Sequence, residues 1–562
     1  MINKFLEIEV LLTPDVYKAL KQLKNEDIEM IIKKIKEFKR YNNKLILLDK
    51  NFLEIFTLNS LDEIINKYKD FDFISYYTGE KEEKKEEIKE EVIKEREEKE
   101  ETKEEKEEVK EELPTIEEKE KTKNESLIEI RESFKSRINW IAKDIETKVK
   151  IYEDTDVSGK STCTGSIEDF IKYFRDRYER LKKFIERKAK RKAKAIKDIR
   201  KVEEDVFTVG LVSDVSQRKN GDLLVRIEDL EDEILLILQK DKINNGELPD
   251  DILLDEVIGA TGMVKNGVMY VNEIIRPSPT PKEPKRIDEE IYMCFLSDIH
   301  VGSNEFLKKD FEKFIRFLNG ETNNGFEERI VSRLKYICIA GDLVDGVGVY
   351  PGQEEDLYEI DIIKQYEEIA NFIEQIPEHI AIIISPGNHD AVRPAEPQPR
   401  LPDEITKLFN RDNIYFVGNP CVLNIHDFNT LLYHGRSFDD LVSQVRTASY
   451  ENPTTIMKEL IKRRLLCPTY GGRCPIAPEH KDYLVIDKDI DILHTGHIHI
   501  NGYGIYRGIV MVNSGTFQEQ TDFQKRMGIK PTPSIVPIIN LSKVGQKGHY
   551  IEWDKGIVEL RY

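Results

Sequence analysis

Cysteine is scarce: the chain has six in 562 residues, at irregular spacings, which excludes a disulfide scaffold. No run of ~18 apolar residues exists either, so no membrane span is expected. The opening residues, MINKFLEIEVLL, put Glu7 and Glu9 inside what would be a signal-peptide core. That argues against secretion and for a cytoplasmic protein. Basic residues are outnumbered, 87 Lys and Arg against 107 Asp and Glu, for a net charge of −20. Taken whole, that balance speaks against a nucleic-acid binder.

The basic deficit is local. From Glu80 to Lys121 there are 21 acidic and 12 basic residues, a net of −9 in 42 positions. This stretch has almost no aromatics and too few apolar residues to offset its ordering entropy by burial. Glu and Lys at i, i+4 leave a solvated helix as the alternative. Residues 77–126 therefore read as a charged linker. Ahead of it, residues 1–76 read as a small helical domain, from Leu20, Leu23, Ile28, Ile31, Ile32 and Ile35 at helical spacing.

Residues 127–204 form a mixed helix and strand segment. LIEIRESFKSRINWIAKDI predicts a helix and KVKIYEDTDVSG a strand and a turn. A long helix then runs from Ile167 to Lys201. Its second half, Lys182 to Lys201, carries 11 basic and 2 acidic residues. Such a stripe either tracks phosphates or is a solvated face. Residues 205–285 change period: VFTVGLVSDV, DLLVRIEDL, DEILLILQK, EVIGATGMVK and VMYVNEIIRP are short β-rich runs between polar turns. Five strands suit a small barrel of the OB type. The Pro-rich PSPTPKEPKR connects it to the rest.

In residues 286–562, apolar runs end one after another in residues able to bind metal. IYMCFL leads to Asp298 and His300, and YICIA to Asp342 and Asp345. HIAIIIS leads to Asn388, His389 and Asp390, NTLLY to His434 and Arg436, and DILHT to His497 and His499. Near-continuous apolar strands alternating with helical patterns indicate an α/β sheet covered on both faces. Ligands then gather beyond the carboxyl ends of the strands. Two Asp, one Asn and up to five His suit two divalent metals, with Mn, Fe or Zn preferred over Ca. Asp342 has two oxygens and could bridge them. Two such ions activate water and clamp a phosphoryl group. One D-x-H or H-x-H alone would mean little; five such motifs in one domain mean more. His379, His426, His480, His494 and His549 fall outside the motifs and read as structural, as does the CPTYGGRC loop with Cys467 and Cys474.

SDIH, GDLVDG, GNHD, YHGR and GHIH together resemble the calcineurin-like metallophosphoesterase superfamily. GDLVDGVGVYPGQE, SPGNHDAVRPAEPQP, APEHKDYLVI and VNSGTFQEQTDFQK are similar to the small subunits of archaeal family D DNA polymerases. The resemblance covers about residues 127–562. It implies a multi-domain chain: an α/β metallophosphoesterase domain with a two-layered sheet, preceded by an OB barrel and a small helical N-terminal domain. It also implies a two-metal 3′→5′ exonuclease for proofreading. The substrates would be single-stranded DNA and primer-template ends, and the partner a large catalytic polymerase subunit, with a sliding clamp as a further candidate. Manganese is the metal expected, with Fe, Zn or Mg as alternatives. By motif, Asp298, His300 and His499 would hold one metal and Asn388, His434 and His497 the other, with Asp342 shared. His389 would stabilise charge or protonate the leaving 3′ oxygen, Asp345 would orient His389, and Arg436 would meet the phosphate or form a structural ion pair. The rival functions are a non-catalytic scaffold subunit and a protein phosphatase, whose usual GDxxDRG and GNHE differ from GDLVDGVG and GNHD here.

Overall fold

The computed structural model describes residues 10–12, 33, 35, 46–48, 138–545, 548–552 and 556–560. The chain divides into two compact units, Met1–Thr122 and Lys123–Tyr562. In the first, strands β1 (Val10–Leu12) and β2 (Ile46–Leu48) pair in parallel, and Lys33 and Ile35 are helical. The strand pair is a feature that the helical reading of residues 1–76 lacks. The rest of that reading, and the linker at 77–126, lie outside the described residues.

The second unit begins with a correction. Within the helix expected over 127–145, the described residues hold only the 3₁₀ turn Ile141–Lys143. Strand β3 (Val149–Ile151) follows. The helix Ile167–Ala189 starts at a capping box between Ser166 and Asp169. It stops well short of Lys201, because Lys190 turns left-handed (φ 54°). Extending it would stack lysines on lysines at i, i+4. Instead the basic residues fold back onto acids: Lys192 pairs with Glu186, Lys197 with Glu231 and Arg200 with Asp232. Four of the eleven basic residues, Lys194 with Glu204 included, are ion-paired in this way among the described residues.

β4 (Asp205–Gln217), β5 (Leu223–Glu228), β6 (Glu233–Leu238), β7 (Val257–Lys265) and β8 (Val268–Ile275) close a barrel in the order β4-β5-β6-β8-β7. They are the five runs read from the sequence. Only β6 and β8 pair in parallel. Alternate residues, among them Val225, Ile227, Leu236 and Leu238, fill the barrel core.

The remaining strands are β9 (Tyr292–Leu296), β10 (Leu334–Ala340), β11 (Ala381–Ser385), β12 (Ile414–Phe416), β13 (Cys421–Ile425), β14 (Phe428–Leu432), β15 (Ile492–Thr495), β16 (Gly502–Tyr506), β17 (Ile509–Asn513), β18 (Ile535–Asn540), β19 (Gly548–Glu552) and β20 (Gly556–Leu560). One sheet runs β12-β11-β10-β9-β18-β19-β20 and the other β16-β17-β15-β14-β13-β3. β3, which precedes the barrel in sequence, is therefore an edge strand of the second sheet, antiparallel to β13.

The central strands are apolar throughout because both faces are covered. On β9, Tyr292, Cys294 and Leu296 join the core formed with helices Lys308–Leu318 and Ile362–Glu374, whereas Met293 and Phe295 join the core between the sheets. In the second sheet, Leu493 and Met511 pack with helices Phe438–Gln444 and Pro453–Arg463, while Ile492, Val510 and Val512 point inward. The layers run helix, sheet, sheet, helix. None of the described helices is long and apolar enough to cross a membrane.

Candidate metal centre

Each sequence-predicted ligand stands just past a strand end. Asp298 and His300 follow β9, Asp342 follows β10 and Asn388 follows β11; His434 follows β14, and His497 and His499 follow β15. The first three strands belong to one sheet and the last two to the other, so the site closes where the two sheets meet. Tight turns bring the side chains inward. Asp298, His300, Asp342, His497 and His499 all have left-handed φ, between 51° and 71°. A non-glycine residue there costs about 1 kcal/mol, and such strain gathers at functional sites. The β10 and β11 loops also touch: a Cβ at Gly387 would lie 2.2 Å from Asp342 Oδ1. Glycine is what permits that approach.

Two groups of donors result. His300 Nε2 and His499 Nε2 are 3.1 Å apart, and His499 Nε2 is 3.4 Å from Asp298 Oδ1. Asp298, His300 and His499 form one compact set of ligand atoms, and Asp298, Asp342 and His434 another. His434 Nε2 is 3.2 Å from Asp342 Oδ2 and 3.1 Å from Asn388 Oδ1. Asp342 Oδ2 is also 3.9 Å from His300 Nε2, and Asp298 belongs to both sets. His497 stands a little apart. Its ring is 5.2 Å from that of His434, and its Nε2 is 3.3 Å from Asp439 Oδ2.

Electrostatics fit cations at these atoms. Asp298 and Asp342 are buried, with 0% and 2% exposure, and such carboxylates need compensating positive charge. Burial works against charge on His434, but Asp342 and Asp298 outweigh it and lift its pKa to about 10. For His300, burial is likewise overcome, chiefly by Asp345, and the pKa rises to about 9. Divalent ions at these atoms would satisfy the same carboxylates. His434 Nδ1 donates to Ala340 O at 2.8 Å, which turns Nε2 toward Asp342 and Asn388, an arrangement metal-binding histidines use. The donor set fits two divalent cations.

His389 is placed differently. Its Nδ1 donates to the main-chain oxygen of Asp345 at 2.7 Å, its N–H donates to Asp342 Oδ1 at 2.8 Å, and its ring meets that of His300 edge-on at 4.7 Å. Burial lowers its pKa, against the opposing charge of Asp342. The Asp345 carboxylate turns toward His300 Nδ1, at 2.8 Å. Arg436 donates from Nη1 to Pro394 O at 2.9 Å.

Three supporting glutamines carry no strand-end signal. Gln353 and Gln518 hold the Asp345 carboxylate at 2.8 and 3.0 Å, and Gln524 meets His499 Nδ1 at 2.8 Å. Asp390 accepts from the main-chain N–H of both Asp342 and Gly387 at 2.8 Å, and from Tyr366 at 2.9 Å. It clamps the two loops together. Buried and next to Asp342, its pKa rises to about 6.

This fold and this rim of ligands define a calcineurin-like phosphoesterase domain, and residues 292–501 match the model of that family. The DNA polymerase II small subunit of Methanocaldococcus jannaschii is 71% identical over 592 aligned residues, which cover 100% of both chains. Those of Archaeoglobus fulgidus and Methanothermobacter thermautotrophicus are 46% and 41% identical, over 68% and 69% of this chain and 77% and 80% of theirs. The chain belongs to the family of archaeal DNA polymerase II small subunits.

Proposed function

We propose that this chain carries the 3′→5′ exonuclease of a heteromeric DNA polymerase. It would trim single strands and mismatched primer ends for a large subunit that performs synthesis. The observation that supports this best is that every ligand position is filled by a competent side chain. A scaffold that had lost catalysis would have no need to keep Asp298, His300, Asp342, Asn388, His434, His497 and His499 together. When bound, two divalent ions, which we assign as manganese, would polarise the phosphodiester and a water molecule. The chain's own groups do the rest. The main-chain oxygen of Asp345 fixes a proton on His389 Nδ1, so Nε2 is the atom that would face the substrate, and the imidazolium form would stabilise charge there or hand its Nε2 proton to the leaving 3′ oxygen. Arg436, beside His434, would meet the substrate phosphate. The barrel, closed in the order β4-β5-β6-β8-β7 and read here as an OB-fold, would serve with residues 515–541 as the dock for the large subunit. A sliding clamp would bind the assembled enzyme.

The test is co-purification with the large subunit, then incubation with a mismatched primer-template in manganese. Removal of the mismatched nucleotide, lost on chelation and restored by manganese, is the expected result. A stable complex that hydrolyses no DNA would favour the scaffold reading, and release of phosphate from a phosphopeptide would favour a phosphatase.

A further inference from the structure

The chain that leaves Asp345 forms a loop of unusual composition. Val347, Val349 and Tyr350 are 41%, 39% and 40% exposed, in a protein of which 35% is charged. The loop is held rather than slack. Gly346 and Gly348 both take φ 74°, the left-handed conformation that suits glycine, and present Val347 between them. A Cβ on Gly346 would lie 2.3 Å from His389 O and 3.1 Å from Val349 Cγ2, so Val349 stands beside the main chain of His389. The buried Gln353 ties the loop to the site. Its Nε2 donates to Asp345 O at 2.8 Å, and its Oε1 accepts from Val349 N–H at 2.8 Å. The far end is pinned to the segment after His300, where Asn304 N–H donates to Asp356 O at 2.8 Å.

Charge says what this wall can face. Residues 341–363 contain no Lys or Arg, and beyond Asp342 and Asp345 they include Glu354, Glu355, Asp356, Glu359 and Asp361. A phosphate backbone is repelled from this side. An aromatic side chain, in contrast, stacks on any base. We propose that Val349 and Tyr350 form the base-side wall of the site, seating unpaired bases at the 3′ end of a DNA strand whose phosphates pass His389 and Arg436. This rests on the nuclease reading above and deepens it. A single strand can turn its bases to the loop. A duplex end would bring a second phosphate backbone against the acidic run. The loop thereby selects unpaired over paired termini.

The test uses the full chain with its large subunit, compared with Tyr350→Ala, Tyr350→Trp and a Tyr350→Ala/Val349→Ser double variant. Affinity for a labelled oligothymidylate is read by fluorescence anisotropy, and turnover is compared on that strand and on bis(p-nitrophenyl) phosphate in manganese. Tyr350→Ala should weaken strand binding about 5- to 100-fold, the loss of one stacked base. The ratio of strand to small-ester turnover should fall with it, and tryptophan should restore both. Unchanged strand affinity in the double variant would overturn the proposal. Loss of large-subunit binding with strand affinity intact would overturn it too, by assigning the loop to a protein interface. If the parent complex hydrolyses neither substrate, the nuclease reading fails, while the anisotropy series still decides the loop.

Discussion

Asp345 Oδ1 lies 2.8 Å from His300 Nδ1. The family resemblance puts Asp345 behind His389; its carboxylate bonds His300, a proposed ligand, and its main-chain oxygen is the atom that bonds the His389 ring. One residue thus sets two rings through different atoms. Asp345→Asn should keep the shape and lose the charge. Metal affinity should fall about 10- to 100-fold, as for other outer-shell partners of ligand histidines. Titration calorimetry with manganese would check this, and an unchanged affinity would remove Asp345 from the metal site.

His389 and Asp342 should separate cleanly as variants. His389→Ala leaves every proposed ligand in place, so both metals should still bind, while exonuclease rate falls by roughly 10²–10⁴, the usual contribution of a positioned acid or base. Asp342→Ala removes the proposed bridge and should weaken both metals together. Metal content by mass spectrometry and rate on single-stranded DNA would be measured for each. Two metals at full occupancy in Asp342→Ala would falsify the bridging role.

What could be read from the sequence was whatever one strand and its following turn contain. Asp298, Asp342, Asn388 and His434 each end an apolar run, and the fold does bring them together. Asp439 and Gln524 were not legible, because they reach His497 and His499 from helices on other parts of the chain. The end of the first long helix at Ala189 is not legible for a similar reason. Lysine favours helix locally, but Glu186, Glu231 and Asp232 offer the basic residues better partners after a turn. That β3 is a strand is legible in KVKIY, but its place at the edge of the second sheet is not, because an edge strand of three residues carries little pattern of its own.

The buried Arg177 should matter for stability rather than for DNA. Its Nε donates to Asp482 at 2.7 Å, both side chains being 0% exposed. Its remaining donors reach Asp255 O, Pro468 O, Cys467 O and the hydroxyl of Tyr173. It ties the helix Ile167–Ala189 to both the barrel and the phosphoesterase domain. Arg177→Leu strands the Asp482 charge and should cost ~3–5 kcal/mol. The Arg177→Leu/Asp482→Leu double variant should recover part of that loss, because no lone buried charge remains. Chemical denaturation would read both. A single variant as stable as the parent would show that the pair carries no weight.

His379 supplies a pH dependence with a defined sign. Its ring packs 5.2 Å from Trp140, and its Nε2 has no hydrogen-bond partner among the described residues. Burial, helped by the charges of Lys335, Lys143 and Arg411, lowers its pKa to about 4. In the unfolded chain the value is about 6.5. Between these values the unfolded state binds more protons, so stability rises with pH. The contribution is fully present above about pH 6.5 and is lost as pH falls toward 4. His494, buried with a pKa of about 3, acts in the same direction. His379→Phe keeps an aromatic ring against Trp140 and removes the proton site. Its melting temperature should therefore fall less steeply than the parent's between about pH 6.5 and pH 4. Thermal melts across that range would settle the matter, and identical slopes for the two proteins would mean that His379 does not couple folding to protons.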